Sequence, residues 1–367
     1  MAEHRAPGVH IEEAQVSSSP IQGVSTSTVG FVAVTGRGFL LGPLFSFLDF
    51  ERVATPSFGV NLPLAVRGFF ENGGQRCFIS QIATTDSLES GLAALDAQAI
   101  SIICCPDDAT ILNSAAAMAS HCQKRKDRLC ILQSPQPIVP LATHQPPVQS
   151  SYAAYYYPWL TVRSLDGSST VTVPPAGHVA GIYAQTDTTR GVWTAPANIP
   201  LAGVTALSQD LTAADSDTLN SRGVDVIRSF PAQGIRVWGS RTTTSQDSDY
   251  KYVPVRRFMI FLEQSIAEGL QWTVFEPNGP ALWAVVRSSI ENFLRSVWKQ
   301  GALQGSNQQE AFFVRCDLTT MTQNDLDNGR LVCIVGVAPV APAEFVILQI
   351  GISTQCSHQP RRPTRNY

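Results

Sequence analysis

Several apolar runs in the first third of the chain predict strands that are buried on both faces. Residues 29–36, VGFVAVTG, and residues 77–83, CFISQIA, are hydrophobic at nearly every position, as are residues 100–106, ISIICCP, and 129–133, LCILQ. An alanine-rich helix is expected over residues 108–124, between two of these runs. Continuously apolar strands that alternate with helices are typical of a largely parallel sheet covered on both faces.

The last third of the chain has hydrophobic side chains at helical spacing. One apolar stripe ends at Gly269, which predicts the end of a helix, and a second begins after Pro280, a residue favoured at helix starts. With intervening strands, this pattern indicates an α+β domain of two long helices on a mixed sheet. The expected strands cover residues 271–275, 312–316, 331–337 and 344–350. The two stripes contain Val255, Phe258, Met259, Leu262 and Ile266, and then Leu282, Val285, Val286, Ile290, Phe293 and Val297.

The start of the chain carries an alternating pattern that predicts an isolated strand. In residues 6–13, APGVHIEE, Val9 and Ile11 would lie on one face and His10 and Glu12 on the other. A serine-rich stretch follows, and no partner strand is near enough in sequence for a hairpin. Such a strand leaves its main-chain hydrogen-bonding groups unpaired, so the pattern predicts a distant partner.

Composition narrows the functional classes. The chain has 367 residues, enough for about two domains. Only 15% of them are charged and the formal net charge is −3, which suits packing against other copies and argues against a nucleic-acid partner. The sequence shows neither a secretory signal nor an apolar run long enough to cross a bilayer. We therefore expect the chain to be made and folded in a cytosol.

The eight cysteines form no C-x-x-C pair. Cys77, Cys130, Cys316 and Cys333 lie within apolar, strand-like runs, and we expect them to be reduced core residues in the cytosol. The six histidines are scattered without metal-ligand spacing. The sequence therefore predicts no metal site, no structural disulfide and no cofactor.

Two weak candidates for chemistry remain. Residues 36–42, GRGFLLG, follow a strand as a dinucleotide-binding loop would, but their spacing is not G-x-G-x-x-G and a glycine turn is the simpler interpretation. His178 with Asp187 could form an acid–base pair near Arg190, although a helix-start histidine and a loop ion pair explain them as well. No P-loop, nucleophile elbow or H-E-x-x-H motif occurs. No catalytic residue is assigned.

Aromatic and basic groups in the second half have simple structural explanations. The cluster at residues 155–159, YYYPW, lacks the interleaved basic residues that a base-stacking platform needs, and is expected to pack near a domain junction. Arginines on or near the last-third helices would form a solvated face or meet an acidic partner surface. These arginines are Arg256, Arg257, Arg287 and Arg295.

Longer stretches resemble a known family. They are APGVHIEE, AVRGFFENGGQRCFI, YAAYYYPWL, VPPAGHVAGIYAQTDTTRGVWTAPAN, GIRVWGSRT, YVPVRRFMIFLEQSI, LQWTVFEPNGPALW and FLRSVWKQGALQGSNQQEAFFVRCDLTTMTQNDLDNGRLVCIVGVAPVAPAEFVI. In these stretches, which cover most of its length, the chain resembles the contractile tail sheath proteins of phages and phage-like injection systems.

The resemblance implies a structural, non-enzymatic subunit. Sheath subunits of this family polymerise around an inner tube in a metastable extended state and contract to drive the tube through a target envelope. The implied partners are other sheath subunits, including paralogues, the inner tube protein, the baseplate and the tail terminator, with no nucleic acid and no membrane insertion. The implied location is a phage tail or a phage-like contractile particle that is assembled in the bacterial cytoplasm and can be released from the cell.

The resemblance also gives the isolated strand a partner, because terminal strands of this family extend the sheets of neighbouring subunits. In this chain, one amino-terminal strand and one carboxy-terminal strand would each extend the sheet of a neighbouring subunit. The first consists of Val9, His10, Ile11, Glu12 and Glu13, and the second of Phe345, Val346, Ile347, Leu348, Gln349 and Ile350. Candidate tube-facing residues are Lys299, Gln304, Asn307, Asn324 and Asp325.

The expected organisation is α/β plus α+β in four parts. An amino-terminal arm at residues 1–24 precedes a mixed-sheet α/β domain at residues 25–200. A C-terminal α+β domain follows at residues 201–352, with two long helices on a sheet completed by neighbouring subunits, and residues 353–367 form a basic tail. Two alternatives stay open: a cytosolic α/β enzyme or nucleotide-binding protein, and a tail terminator or cap protein that uses the same domain.

Overall fold

A computed structural model of the chain describes residues 20–108, 111–136, 140–244 and 249–344. Buried hydrophobic side chains form three clusters in this part of the chain. Two clusters cover the opposite faces of a large sheet, and the third surrounds two long helices of the last third. The terminal strands expected at residues 9–13 and 345–350 lie outside the described residues.

The large sheet has eight strands and is mixed. Its six central strands are parallel, and an antiparallel strand closes each edge. The four predicted apolar runs are confirmed as the central strands β1, β3, β4 and β5. In spatial order the strands are β11 (Gly234–Val237), β10 (Asp225–Phe230), β6 (Ala153–Tyr157), β5 (Leu129–Gln133), β4 (Ile102–Cys104), β1 (Thr28–Val34), β3 (Arg76–Ile82) and β2 (Leu40–Leu44).

Alternation along each strand explains why both faces of this sheet are covered. In β1, Phe31 belongs to the hydrophobic cluster on one face of the sheet, and Val32 belongs to the cluster on the other face. Helix α1 (Phe47–Val53) adds Phe50 to the first face. The first face carries α2 (Asn61–Glu71) and α5 (Ala176–Arg190), and the second carries α3 (Leu88–Ala94), α4 (Ser114–Arg125) and α6 (Ala213–Asn220).

Helix α4 begins six residues later than the sequence predicts. Asn113, the residue before it, has a left-handed backbone with a φ of 57° and therefore cannot belong to a right-handed helix. The main-chain N–H of Ser114 is bonded to the carbonyl of Ile111, which places a turn ahead of the helix.

A second, three-stranded sheet lies beside the first. Its order is β8 (Thr170–Val173), β7 (Leu160–Arg163) and β9 (Val204–Leu207), and every pairing is antiparallel. Leu160 and Val162 join the same hydrophobic cluster as α2 and α5. The small sheet is therefore packed onto the α/β body.

The α/β body extends beyond residue 200, where the sequence places the start of the C-terminal domain. Strand β10 pairs with β6 through Asp225 and Tyr156, and β11 pairs with β10, so both belong to the eight-stranded sheet. Sequential periodicity does not reveal this arrangement, because the partner of β10 lies about seventy residues earlier in the chain.

The C-terminal part contains the two long helices that the sequence predicts. They are α7 (Val253–Gly269) and α8 (Pro280–Lys299), whose Phe261 and Phe293 rings lie 6.0 Å apart. After α8 come α9 (Gln308–Ala311), β12 (Phe312–Arg315), α10 (Gln323–Asp327) and β13 (Ile334–Val337). Within the described ranges, no helix is both long and apolar enough to cross a membrane.

The strand predicted at residues 271–275 is wrong. Residues 271–273 form a single 3-10 turn in the connection between α7 and α8. Phe275 is fully exposed and has a positive φ of 73°, so this apolar run does not lie within a buried sheet. The apolar side chains mimic a strand because short runs carry no periodicity that distinguishes a strand from a turn.

Candidate assembly site

The segment that leads out of the amino-terminal arm is fixed to helix α7. Ile21 belongs to the C-terminal hydrophobic cluster, where it lies so close to Gly269 that a Cβ there would approach it to 2.7 Å. The main-chain N–H of Val24 donates a hydrogen bond to Ser265 Oγ at 3.1 Å. Residues 21–24 therefore have a defined position against α7.

A buried ion pair holds the same segment to helix α5. Arg257 donates to both carboxylate oxygens of Asp187, at 2.8 and 2.6 Å, and the two side chains are each 3% exposed. Thr26 Oγ1 donates to Asp187 at 2.7 Å, and Arg257 donates to the Thr26 carbonyl at 2.7 Å. Burial raises the pKa of Asp187, and the guanidinium of Arg257 offsets part of that effect. We call Thr26, Asp187 and Arg257 the amino-terminal lock.

The candidate acid–base pair does not come together. His178 and Asp187 are nine residues apart on α5, which separates them by about 13 Å along the helix axis. His178 is buried against Gly68 of α2, and this burial lowers its pKa to about 4, so the ring is neutral at pH 7. Arg190 is exposed at the end of α5, whereas Asp187 serves the lock.

The glycine-rich candidate loop lacks the context of a nucleotide site. Residues 36–39 lie between β1 and β2, and residues 40–42 already belong to β2, an edge strand antiparallel to β3. A dinucleotide loop instead joins a strand directly to the amino terminus of a helix, where the main-chain N–H groups bind phosphate. The described residues also contain no cluster of three or more His, Cys, Asp or Glu side chains that could hold a metal ion.

The predicted exposure of the first two arginines is wrong. Arg256 is 6% exposed and lies over the rings of Tyr152 and Tyr250, and Arg257 forms the lock. Both arginines stand on the face of α7 that packs against the α/β body, so they join the two parts of the subunit. Arg287 is exposed, and Arg295 donates to Gln308 at 3.1 and 3.2 Å.

The tyrosine cluster lies in the core. Tyr155, Tyr156 and Tyr157 are at most 2% exposed in β6, and the hydroxyl groups of Tyr156 and Tyr183 are 2.8 Å apart. The Trp159 indole donates to the Ser134 carbonyl at 2.7 Å. Rings with no exposed face cannot stack on bases, so this cluster is structural.

The segment that leads into the carboxy-terminal strand is fixed as well. Glu344 accepts two hydrogen bonds from Arg241, both at 2.6 Å, one from Asn220 at 2.8 Å and one from Tyr252 at 3.0 Å. These hydrogen bonds and the charge of Arg241 lower the pKa of Glu344, although burial opposes them. We call Glu344 with its three partners the carboxy-terminal lock. It holds the chain to the α/β body immediately before residue 345.

Strands β12 and β13 form a two-stranded antiparallel sheet and, within the described residues, pair with no third strand. The N–H of Ala338 is bonded to the carbonyl of Ala311, which marks that pair as hydrogen-bonded. Because such pairs alternate, Val335 and Val337 occupy non-hydrogen-bonded positions, and their main-chain groups point away from β12. Among the described residues, the main-chain donors and acceptors on the outer edge of β13 therefore pair with no strand, and another strand could add there.

The five candidate tube-facing residues lie in two stretches of the C-terminal part, one that runs from the end of α8 to the start of α9 and one at α10. Lys299 ends α8, and Gln304 donates to the Pro339 carbonyl at 2.8 Å. Asn307 caps α9, and Asp325 forms a capping box with Thr322 at the start of α10 and an ion pair with Arg330. Asn324 is exposed on α10. Several of these side chains therefore already shape their own loops.

Two models of known protein domains match this chain and identify its family. The phage tail sheath protein central domain matches residues 81–243, and the phage tail sheath C-terminal domain matches residues 245–353. Together the two matches span well over half of the chain. The chain belongs to the phage tail sheath protein family.

Solved structures of sheath assemblies agree with this assignment along nearly the whole subunit. The anti-feeding prophage helical sheath in the contracted state is 34% identical, with 95% of this sheath protein and 99% of that chain covered and a TM-score of 0.81. The contracted sheath complex of PVC, an extracellular contractile injection system, is 29% identical, with 96% and 99% covered and a TM-score of 0.80.

A curated phage relative matches over a shorter region. The tail sheath protein of Vibrio phage KVP40 (isolate Vibrio parahaemolyticus/Japan/Matsuzaki/1991) is 29% identical over 179 residues. The match covers 48% of this sheath protein and 26% of the relative, so the chain spans about a quarter of that relative's length.

Sequence reasoning missed both locks of this sheath protein. Asp187 and Arg257 are 70 positions apart, and Arg241 and Glu344 are 103 apart. A charged residue within an apolar helical stripe, as Arg257 is beside Phe258, was the one available signal of a buried partner. Nothing in the sequence identified which acidic residue that partner would be.

Proposed function

We propose that this chain is the structural subunit of a contractile sheath that surrounds an inner tube in a phage-like particle. One observation carries the proposal: the match to the contracted anti-feeding prophage sheath covers 95% of this chain and 99% of that one. A tail terminator or cap is less well supported, because the matching chain belongs to a helical sheath. The further partners are the tube protein, the baseplate and a terminator, and the particle is released after assembly in the cytoplasm.

The proposed links between subunits are terminal strands. Val9–Glu13 and Phe345–Ile350 would each add to the sheet of a neighbouring copy, with main-chain hydrogen bonds giving strength and alternating side chains fixing the register. The unpaired outer edge of β13 supports this proposal, because a two-stranded sheet is marginally stable alone and gains from further strands. The two locks support it too, since they hold the roots of both strands to the body.

Contraction in this proposal is a change of packing and involves no catalysis. The same subunits would exchange one set of lateral contacts for another, while the strand pairings stay closed and the segments next to the locks absorb the rotation. A small free-energy preference per subunit, summed over many subunits, would make contraction effectively irreversible. The family is structural, and the subunit's candidate catalytic residues are held apart, which supports a non-enzymatic role.

We further propose that Lys299, Gln304, Asn307, Asn324 and Asp325 lie near the inner tube. These residues lie where elements of the C-terminal part are joined. The neutral amide groups of Gln304, Asn307 and Asn324 could form hydrogen bonds to the tube without strong charge attraction. Weak contacts of this kind would let the sheath release the tube when it contracts.

The proposed links are tested by removing main-chain donors from the amino-terminal strand. Val9→Pro with Ile11→Pro deletes two N–H groups, whereas Val9→Ile with Ile11→Val keeps the alternating pattern and serves as the matched control. We expect tubular particles by negative-stain electron microscopy from the wild type and the control, and folded but unassembled subunits from the proline variant. Normal tubes from the proline variant would overturn the strand-exchange proposal.

A further inference from the structure

Cys316 and Cys333 face each other across the β12–β13 sheet. The register pairs Phe312 with Val337 and Arg315 with Ile334, so the next facing pair is Cys316 with Cys333. The alternation set by the hydrogen-bonded Ala311–Ala338 pair makes this a non-hydrogen-bonded position. Facing Cα atoms at such positions are about 4.5 Å apart, which lies within the range that disulfides span.

Side-chain direction agrees with the register. Phe312, Val314 and Cys316 are the buried positions of this stretch, and Cys333 packs against the same hydrophobic cluster. The two thiols are close enough that each affects the pKa of the other. Thr320 Oγ1 also donates to the Val332 carbonyl at 2.7 Å, which holds the two chain segments together beside the pair.

Access to solvent distinguishes this pair from the other thiol pair in contact. Cys122 and Cys130 are both fully buried, whereas Cys333 is the one half-buried cysteine among the described residues. A small oxidant can therefore reach Cys333, while the Cys122–Cys130 pair is shielded in the α/β core.

We propose that Cys316 and Cys333 oxidise to an intrachain disulfide after the particle leaves the reducing cytoplasm. The bond depends only on the geometry of this chain, while its timing rests on the proposed function. The disulfide would close the loop that contains α10 and its candidate tube-facing residues, and would fix the register of the sheet whose outer edge is free. This differs from the sequence expectation that all cysteines are inert core residues.

The oxidant would be a small-molecule disulfide such as oxidised glutathione. The Cys333 thiolate attacks one of its sulfurs and expels a glutathione thiolate, and the Cys316 thiolate then attacks the Cys333 sulfur and expels the second. Two protein thiols thus lose two electrons and two protons, which the oxidant takes up as two thiols. Burial raises the pKa of Cys333 to about 12, so thiolate is scarce at neutral pH and the bond forms slowly.

The test is oxidation of the folded full chain, followed by alkylation, trypsin digestion and mass spectrometry without reductant. The wild type, purified reduced, is exposed to excess oxidised glutathione in mildly alkaline buffer. We expect the peptide of residues 316–330 to be linked to the peptide that begins at Leu331. That second peptide also contains Cys356, so Cys356→Ser should keep the link and Cys333→Ala should abolish it.

Thermal unfolding provides a second measurement. Oxidation should raise Tm by roughly 5 °C in the wild type and in Cys356→Ser, but not in Cys333→Ala, because only the first two gain a closed loop. Free thiols at both positions, a glutathione adduct that stops at Cys333, or a link that survives Cys333→Ala would each overturn the proposal. A disulfide in subunits that never form tubes would support it and count against the proposed function alone.

Discussion

Asp187 and Arg257 form an ion pair in the interior, where the desolvation of the two charges costs more free energy than it does for a pair at the surface. Their bidentate geometry and the Thr26 hydroxyl satisfy the groups that burial strips of water. Such a pair orients the chain as much as it stabilises the subunit, because it fixes Thr26 relative to α5 and α7. The lock is thus the residue-scale feature on which the proposed strand exchange would depend.

Arg257→Met should destabilise the subunit by about 3–5 kcal/mol, because it leaves the Asp187 carboxylate buried without its cationic partner and with only the Thr26 hydroxyl donating to it. Arg52→Met is the matched control: its pair with Asp49 is 3.6 Å long and the Arg52 side chain is 69% exposed, so its loss should have little effect. Urea unfolding followed by circular dichroism measures both variants. A free energy of unfolding for Arg257→Met close to that of the wild type would contradict the role of the lock.

His178 should make the subunit less stable in acid. The pKa is about 4 in the folded state and about 6.5 in an unfolded chain, so between these values only the unfolded state binds the proton. The contribution of neutral His178 to the free energy of unfolding is therefore fully present above pH 6.5. It falls by up to about 3 kcal/mol as the pH is lowered to 4. The difference in unfolding free energy between wild type and His178→Asn, measured across this range, should follow that slope. A difference that does not change with pH would contradict the assignment.

At the scale of elements, helices α2 and α5 approach unusually closely. A Cβ on Gly181 would lie 2.5 Å from the Phe69 carbonyl oxygen, and Gly68 leaves room for the ring of His178. Small residues at these positions let the two helices cover one face of the sheet side by side.

Gly181→Ala should therefore cost about 1–3 kcal/mol, because the added methyl group meets backbone that cannot move aside. Gly38→Ala is a suitable control, since a Cβ there has open space around it. The effect is measured as the change in the urea concentration at the unfolding midpoint of each variant, with the dependence of the unfolding free energy on urea unchanged. Equal midpoints for the two variants would show that the helices can separate without cost.

The outer edge of β13 gives a prediction about assembly. Val335→Pro removes an N–H that points away from β12 and should leave the β12–β13 ladder in place. We expect a folded subunit that no longer forms tubes, while Val335→Thr assembles. Sedimentation and electron microscopy of both variants give the answer, and tubes formed by the proline variant would show that this edge stays unpaired in the particle.

Sequence patterns predicted the elements better than their partners. The buried central strands follow from continuous apolar runs, as Val29 to Val34 in β1 illustrates, and both long helices follow from apolar residues at helical spacing. The strand at residues 271–275 was wrong, because an apolar run such as WTVF can also sit on an exposed connection. The membership of β10 in the large sheet and both locks depend on contacts between distant residues, which one sequence does not encode locally.

At the scale of the whole molecule, the described part of the subunit is one packed body whose first and last described segments are each held by a lock. Three hydrophobic clusters hold the α/β body and the C-terminal part together, and α7 contributes Val253, Ile260 and Phe258 to a different cluster each. In the proposed lattice, terminal strands that begin next to the two locks would let the subunits change their packing without losing their connections.

The most direct measurement of this account is a cryo-electron microscopy reconstruction of the assembled particle at a resolution that traces main chain. The account predicts that residues 9–13 and 345–350 of each copy are hydrogen-bonded into sheets of neighbouring copies, with the Thr26–Asp187–Arg257 and Glu344–Arg241 contacts intact. Both terminal strands folded back onto their own subunit, with no main-chain pairing between copies, would contradict it.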